Sequence, residues 1–354
     1  MSAMGTRIPA GGRPLPRGEA LQRQPAPARI AGLTVSMLRY RVAIMVWTFM
    51  LLGAASGDGA RLKAGELALE ACALAWSYVA ATTVNDIADV EIDLVNHPGD
   101  AGRPLVSGAA SPADMRTLHW LAWAAAVGCA APLGLVPAML VVVGLLIGRA
   151  YSVRPLRLSY RPYWAPTTLA IAYVVVPYML GFWSSGGEAS GRAVGIGGGL
   201  LALFLARIIL KDFRDREGDR IFGRRSLLLL HGKRLTCGLS GAFVALGDGL
   251  LSLAFGGHAW PLLVLAQGFF AAVVLMLWRL SKATTPTAEQ VAIGTGAKMA
   301  NGLLFSLLSW LLLSGHGATI GTRAAFLVLL AVVYGTSFVT LARHPERAVI
   351  GYKG

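Results

Sequence analysis

Charge is scarce in this chain of 354 residues: Asp, Glu, Lys and Arg make up only 14% of it, against 55% apolar residues. A soluble domain of that length cannot cover itself with so few charges, which excludes an ordinary water-soluble fold. Cysteine is nearly absent. Cys72, Cys129 and Cys237 are far apart within apolar runs, so there is no disulfide framework, and all three are expected to be small core residues. The six histidines (His97, His119, His231, His258, His316 and His344) have no ligand spacing and fall at segment ends, which excludes a centre held by His and Cys. No short apolar core with a small-residue cleavage site precedes the first long hydrophobic segment, so no signal peptide is expected.

Long apolar runs are what the chain has instead, and its mean hydropathy is +0.59. Ten segments are each long enough to be read as a membrane helix: 38–57, 65–86, 115–134, 136–153, 164–184, 193–211, 235–256, 259–281, 297–315 and 323–341. Lys298 and Asn301 make the ninth the weakest of them. Forty-three glycines fit helices that approach one another closely in lipid. Residues 1–30, rich in Pro, Gly and Arg, read as a disordered tail ahead of one domain, 31–354. Threaded alternately, the segments leave 28 of the 32 Lys and Arg on one side and Arg61, Lys63, Arg192 and Arg323 on the other. The positive-inside rule then places both termini in the cytoplasm, and the net charge of +14 reflects topology, not a nucleic-acid patch. The expected fold is all-α, a polytopic bundle of nine to ten transmembrane helices.

The few acidic residues are not scattered. In "VNDIADVEIDLVN", Asp86, Asp89 and Asp93 fall at about 0°, 300° and 340° around a helix, with Glu91 turned away. In "LKDFRDREGDRIFGRRSL", Asp212, Asp215 and Asp219 repeat the spacing 126 positions later, and Glu217 takes the outward place. Four membrane helices separate the two rows, so both emerge on the same face, and the matched offset hints at a duplicated bundle. Six converging carboxylates repel unless cations join them. Oxygen-only ligands favour Mg²⁺, which prefers one or two carboxylates and shares substrate phosphates. The substrate therefore reads as a diphosphate whose remainder lies in the membrane.

The first stretch resembles the NDxxDxxxD motif of the UbiA superfamily of intramembrane prenyltransferases, with Asn85, Asp86, Asp89 and Asp93 in place and "RPLVSG" (103–108) following. The second resembles that superfamily's DxxDxxxD motif, in a form close to members that act on aromatic and tetrapyrrole acceptors. The resemblance covers roughly residues 35 to 315. It implies a horseshoe of helices around a lipid-open cavity, two Mg²⁺ ions and transfer of a polyprenyl group from its diphosphate to a lipophilic acceptor, an aromatic ring foremost, with a lipid-soluble non-aromatic acceptor the alternative. Within it, all six aspartates are expected to hold metal, with Asp89, Asp93, Asp215 and Asp219 the least replaceable.

"GRAYSVRPLRLSYRP" (148–162) resembles the superfamily's Tyr-containing motif but departs from it, since Pro155 stands where Lys is usual after Tyr151. The diphosphate-binding set is accordingly Asn85, Arg103, Tyr151, Arg154 and Lys211, while Arg157 and Arg161 fit an ordinary basic loop as well as a functional role. Arg103 lies in a Pro-rich loop able to fold over the site. Arg207 is expected to face the cavity. Ser111 to Asp114 read as a capping box, Asp248 as interfacial or structural, and Gln267 and Asn301 as bonding between helices. Trp47, Tyr173, Tyr178, Phe182 and Trp183 are candidates to line a prenyl tunnel. Two other readings compete: a terpene cyclase on the same scaffold, and a transporter with the aspartates as a cation pathway. The transporter fits less well, because the rows lie at one face and not at midplane.

Overall fold

The computed structural model describes residues 26–57, 59, 61–345 and 347, all of its long elements helical. Residues 1–25 of the expected tail lie outside the described residues. The tail boundary was drawn too late, because 26–30 already belong to α1 (Ala26–Leu38). Arg29 explains the early start: its guanidinium donates to Asp114 at 2.8 Å and ties α1 to the bundle.

After α1 the chain turns at Arg39 (φ 41°) into α2 (Tyr40–Ala54), the two helices meeting at 63°. There follow α3 (Ala64–Ala88), the short α4 (Val90–Asn96), α5 (Pro112–Ala130) and α6 (Leu135–Ser152). The next span is α7 (Trp164–Ala170), a π turn at Ile171–Val175, and α8 (Val176–Ser184). Then come α9 (Gly191–Ile208), α10 (Asp212–Ile221), α11 (Leu227–Phe255), α12 (Trp260–Lys282), α13 (Pro286–Gly315) and α14 (Ile320–Arg343).

Eight helical runs among the described residues are long and apolar enough to cross a membrane, and the bent α1–α2 pair makes nine. The protein is a multi-pass membrane protein. The segment expected at 115–134 corresponds to α5, which falls outside that set because Asp114, Arg116 and His119 dilute its first half. It still buries Leu118, Ala122 and Ala126 completely against the bundle. The weakest expected segment, 297–315, proves to be the C-terminal part of a 30-residue helix that begins at Pro286, so Lys298 and Asn301 stand mid-helix.

Two apolar clusters form the interior. One joins α3, α5 and α6; the other joins α9 with α11, α12 and α13. The helix α2 belongs to both, giving Val46 and Met50 to the first and Phe49 and Leu52 to the second. It lies so close to α8 that a Cβ on Gly53 would run into the Tyr178 carbonyl, and one on Gly181 into that of Met50. Small residues are required there, as expected for glycine-rich helices in lipid. Of the cysteines only Cys237 is buried; Cys72 is exposed and Cys129 intermediate, so the core expectation fails for Cys72. An apolar run in lipid has an outward face as well as an inward one, and a cysteine is compatible with either.

Candidate active site

Both acidic rows lie at one end of the bundle and face each other. The first is not on an unbroken helix, because Asp89 (φ −113°, ψ 15°) separates α3 from α4. Helical bonding nevertheless continues across it, from the Asp89 amide to the Asn85 carbonyl (2.9 Å) and from the Asp93 amide to the Asp89 carbonyl (2.8 Å). Asp86, Asp89 and Asp93 are therefore all buried while Glu91 is exposed, as the spacing requires. A 3₁₀ turn at Ile209–Lys211 precedes the second row and delivers it onto α10. Asp215 and Asp219 are buried and Glu217 is exposed, whereas Asp212 opens onto a small pocket that Tyr151, Lys211 and Arg224 also line.

Three contacts hold the rows together. Asn96, next after the first row's helix turn, accepts the Gly218 amide through Oδ1 at 2.7 Å. His97 Nε2 stands 3.4 Å from Asp215 Oδ1. Arg224 Nη1 lies 3.6 Å from Asp89 and 3.8 Å from Asp219, and so touches both rows. The same arginine donates to the Ser159 carbonyl (2.8 Å) and to the Tyr151 hydroxyl (3.1 Å). Burial works against its charge, but Tyr151, Asp219, Asp89 and Asp215 outweigh that and raise its pKa.

Cations surround the remaining carboxylates. Arg39, at the α1–α2 elbow, donates to both Asp86 oxygens at 3.1 Å. Arg103 bonds Asp93 and lies 3.8 Å from Asp86, which folds the Pro-rich loop over the first row. Burial still dominates at Asp93, whose pKa rises to about 6 despite Arg103. Lys211 and Arg214 stand 3.8 and 3.0 Å from Asp215. Asn85 accepts a bond from Ser152 at 3.4 Å.

One expected residue is not brought in. Arg154 is exposed, and Arg157, for which a basic loop and a functional role both stood open, reaches the site in its place. Its guanidinium lies 3.4 Å from Asp89, donates to the Ala88 carbonyl at 3.2 Å and stacks on Tyr160 with its carbon 3.9 Å from the ring centre. Arg157 adopts the left-handed region (φ 36°), a turn that sequence spacing does not reveal. Arg39, His97 and Arg224 were also missed. His97 follows Asp93 at i+4 and Arg224 follows Asp219 at i+5, so proximity in sequence could have flagged both; nothing local marks Arg39.

Beneath the second row lies a cavity of about 840 Å³, its open mouth included, walled by α2, α9, α11, α12 and α13. Arg207 faces it as expected, and donates to Asn301 on α13 at 3.2 Å. The aromatic rings lining it are Phe49, Phe204, Phe269 and Phe270, none of the five proposed from sequence. Tyr178 is held instead in a structural role, its hydroxyl bonding Ser56 (2.6 Å) and the Ala193 carbonyl (2.7 Å). The other polar expectations hold. Ser111 and Asp114 form the capping box, and Gln267 donates to Asp248 at 2.8 Å between α12 and α11.

The donor set is chemically suited to a hard divalent cation. It offers carboxylate oxygens from two helices, and Asp219 Oδ1 is buried with no hydrogen-bond donor. Among the described residues no three acidic, His or Cys side chains form a ready-made cluster. A cation that takes only one or two carboxylates and fills its shell with water and phosphate fits such a set.

The sequence model of the UbiA prenyltransferase family matches residues 44–302. Digeranylgeranylglyceryl phosphate synthase of Methanopyrus kandleri is 30% identical over 73% of this chain and 94% of its own length. Homogentisate phytyltransferase of Synechocystis is 30% identical over 74% and 84%. In fold, the chain is similar to a UbiA homologue from Archaeoglobus fulgidus solved with GPP and Mg²⁺ (TM-score 0.61, 16% identity, 78% of this chain and 99% of that one). It is also similar to one from Aeropyrum pernix K1 (TM-score 0.60, 20% identity, 78% and 99%). With the family's matched region spanning both aspartate rows and the helices that bring them face to face, the chain belongs to the UbiA prenyltransferase family and is a membrane-embedded enzyme of that class.

Proposed function

We propose that this enzyme transfers an isoprenyl group from its diphosphate to a lipophilic, aromatic acceptor within the membrane, in a Mg²⁺-dependent reaction. The observation that carries the reading is the convergence of two aspartate rows, from separate spans, on the shared guanidinium of Arg224. The family's phytyltransferase and the A. fulgidus homologue with GPP and Mg²⁺ support it. Asp86, Asp89, Asp93, Asp212, Asp215 and Asp219 would hold the metal, which when bound supplies Lewis-acid neutralisation of the leaving diphosphate.

The chain's own groups account for the rest. Arg103, Lys211, Arg157 and Arg224, each beside a row carboxylate, take up charge on the diphosphate as the C1–O bond breaks toward oxygen. Tyr151 fixes Arg224, and Ser152 orients Asn85 beside the first row. The apolar cavity below keeps the prenyl chain dry, so that the acceptor and not water captures the allylic cation. Both termini are assigned to the cytoplasm, with the active site at that face, from the partition of basic residues.

The test is mass analysis of products from purified protein supplied with isoprenyl diphosphates of increasing length, several aromatic acceptors and Mg²⁺. Wild type should give the joined product, and Asp89→Ala or Asp215→Ala should abolish it while the variants still melt as folded proteins. A ring-closed product without acceptor would instead identify a cyclase. Full Mg²⁺-dependent transfer by both variants would remove the rows from the reaction.

A further inference from the structure

Glu289 stands in the first turn of α13 and is only 6% exposed, yet both of its carboxylate oxygens are paired with cations from other helices. Arg216 on α10 donates to Oε2 at 3.0 Å. Lys233 on α11 pairs with Oε1 and also donates, at 2.7 Å, to the Ala283 carbonyl in the turn between α12 and α13. Lys233 directly follows Gly232 (φ 75°, ψ 172°), where α11 is broken. Burying a carboxylate costs about as much as its ion pairs return, so such a cluster adds little stability and is better suited to fixing geometry.

The geometry it fixes is that of the second row. The helix α10 has ten residues, is entered through the 3₁₀ turn at Ile209–Lys211 and is followed by Gly223 (φ 68°), so side contacts must set its rotation. Asn96 and His97 hold it toward the first row. Arg216 comes one residue after Asp215, about 100° around the helix, and reaches α13 instead. One turn further along α13, Ala292 and Ile293 line the large cavity. The same carboxylate thus ties the row to a wall of that cavity. We infer that Glu289 is a positioning residue for the reaction: acting through Arg216, it sets the rotation of α10 and with it the aim of Asp215 and Asp219. Lys233 has a different share, which is to secure the α12–α13 turn. Glu289 itself does not touch substrate and exchanges no proton. The inference rests on the proposed transfer for its kinetic consequence, and on the packing of α10 alone for the rest.

The experiment separates the two arms of the cluster. Full-length Arg216→Ala, Arg216→Lys, Lys233→Ala and Glu289→Gln proteins in lipid nanodiscs are compared with wild type by melting, by hydrogen exchange of the α10 amides and by transfer kinetics with Mg²⁺. Arg216→Ala should speed α10 exchange and lower kcat about tenfold, as a small misplacement near the reacting atoms does, with the acceptor KM unchanged. Arg216→Lys should recover part of that loss. Lys233→Ala should lower the melting temperature at least as much, because it also forfeits the Ala283 bond, yet keep kcat within about twofold and α10 exchange as in wild type. Glu289→Gln should combine both losses; should it fail to fold, the two cation variants carry the same comparison. Kinetic losses that simply follow melting temperature, whichever arm is cut, would make the cluster a plain structural clasp and overturn the inference. If wild type transfers nothing while α10 exchange responds to Arg216→Ala and not to Lys233→Ala, the transferase reading falls alone. Transfer with kcat and exchange unmoved in Arg216→Ala sinks this inference alone.

Discussion

The two aspartate rows have the same spacing, the same outward glutamate and the same end of the bundle, yet they are neutralised in opposite ways. Cations for the first row come from elsewhere in the chain: Arg39 from the α1–α2 elbow, Arg103 from the following loop and Arg157 from the connection after α6. The second row draws on its own helical stretch, through Lys211 and Arg214 at Asp215. Spacing fixes which side chains share a face. Tertiary structure decides who balances their charge. The first row is therefore sensitive to distant parts of the fold, while the second is largely preassembled, and Arg224 is where the two schemes meet.

Removing that meeting point should have the largest effect on this comparison. Arg224→Gln leaves Asp89 and Asp219 without their shared cation, and transfer efficiency should fall about 10²-fold, the scale for losing one preorganised charged donor. Steady-state kinetics with a melting curve would check it, and a loss of no more than twofold would mean the rows act without a common counterion. A smaller contrast concerns the connection after α6. Arg157→Ala should cost about tenfold in donor efficiency, because it removes a guanidinium from Asp89, whereas exposed Arg154→Ala should stay within about twofold. The reverse order would restore Arg154 to the site and show that Arg157 serves only the fold.

Much of this arrangement was legible in sequence because it depends on period. The facing of Asp86, Asp89, Asp93, Asp215 and Asp219 follows from helical spacing, and the outward Glu91 and Glu217 follow from the same rule. The capping box at Ser111, a structural Asp248 and an interhelical Gln267 were readable for a related reason, since each is a local motif or a costly polar group in lipid, though their pairing with each other was not. What stayed hidden depends on turns and long-range packing. Arg39 and Arg157 both sit at left-handed breaks, where the direction of the side chain cannot be extrapolated from a helix. The ring choice at the cavity was missed because aromatic residues are common throughout the spans, and only packing selects Phe204 and Phe269 over Tyr173 and Trp183. The tail boundary was missed because Arg29 gains its partner Asp114 from 85 positions away.

The gentlest way to sharpen the comparison is to change how the rows abut without touching any carboxylate. Gly218 lies on α10 between Asp215 and Asp219, and its amide donates to Asn96 at the end of α4. A Cβ at 218 would come within 2.6 Å of Asn96 Nδ2, the end of a side chain able to move aside, so Gly218→Ala should part the rows slightly without unfolding the bundle. Transfer should drop several-fold. Asn96→Ala alone removes the bond from the Gly218 amide but leaves the gap closed, and should cost less. In the double variant the clash has nothing to strike, so the combined loss should be smaller than the product of the single losses, a coupling that contacting residues show and distant ones do not. Independent, multiplicative losses across that cycle would mean that the contact between α4 and α10 does not set the separation of the rows.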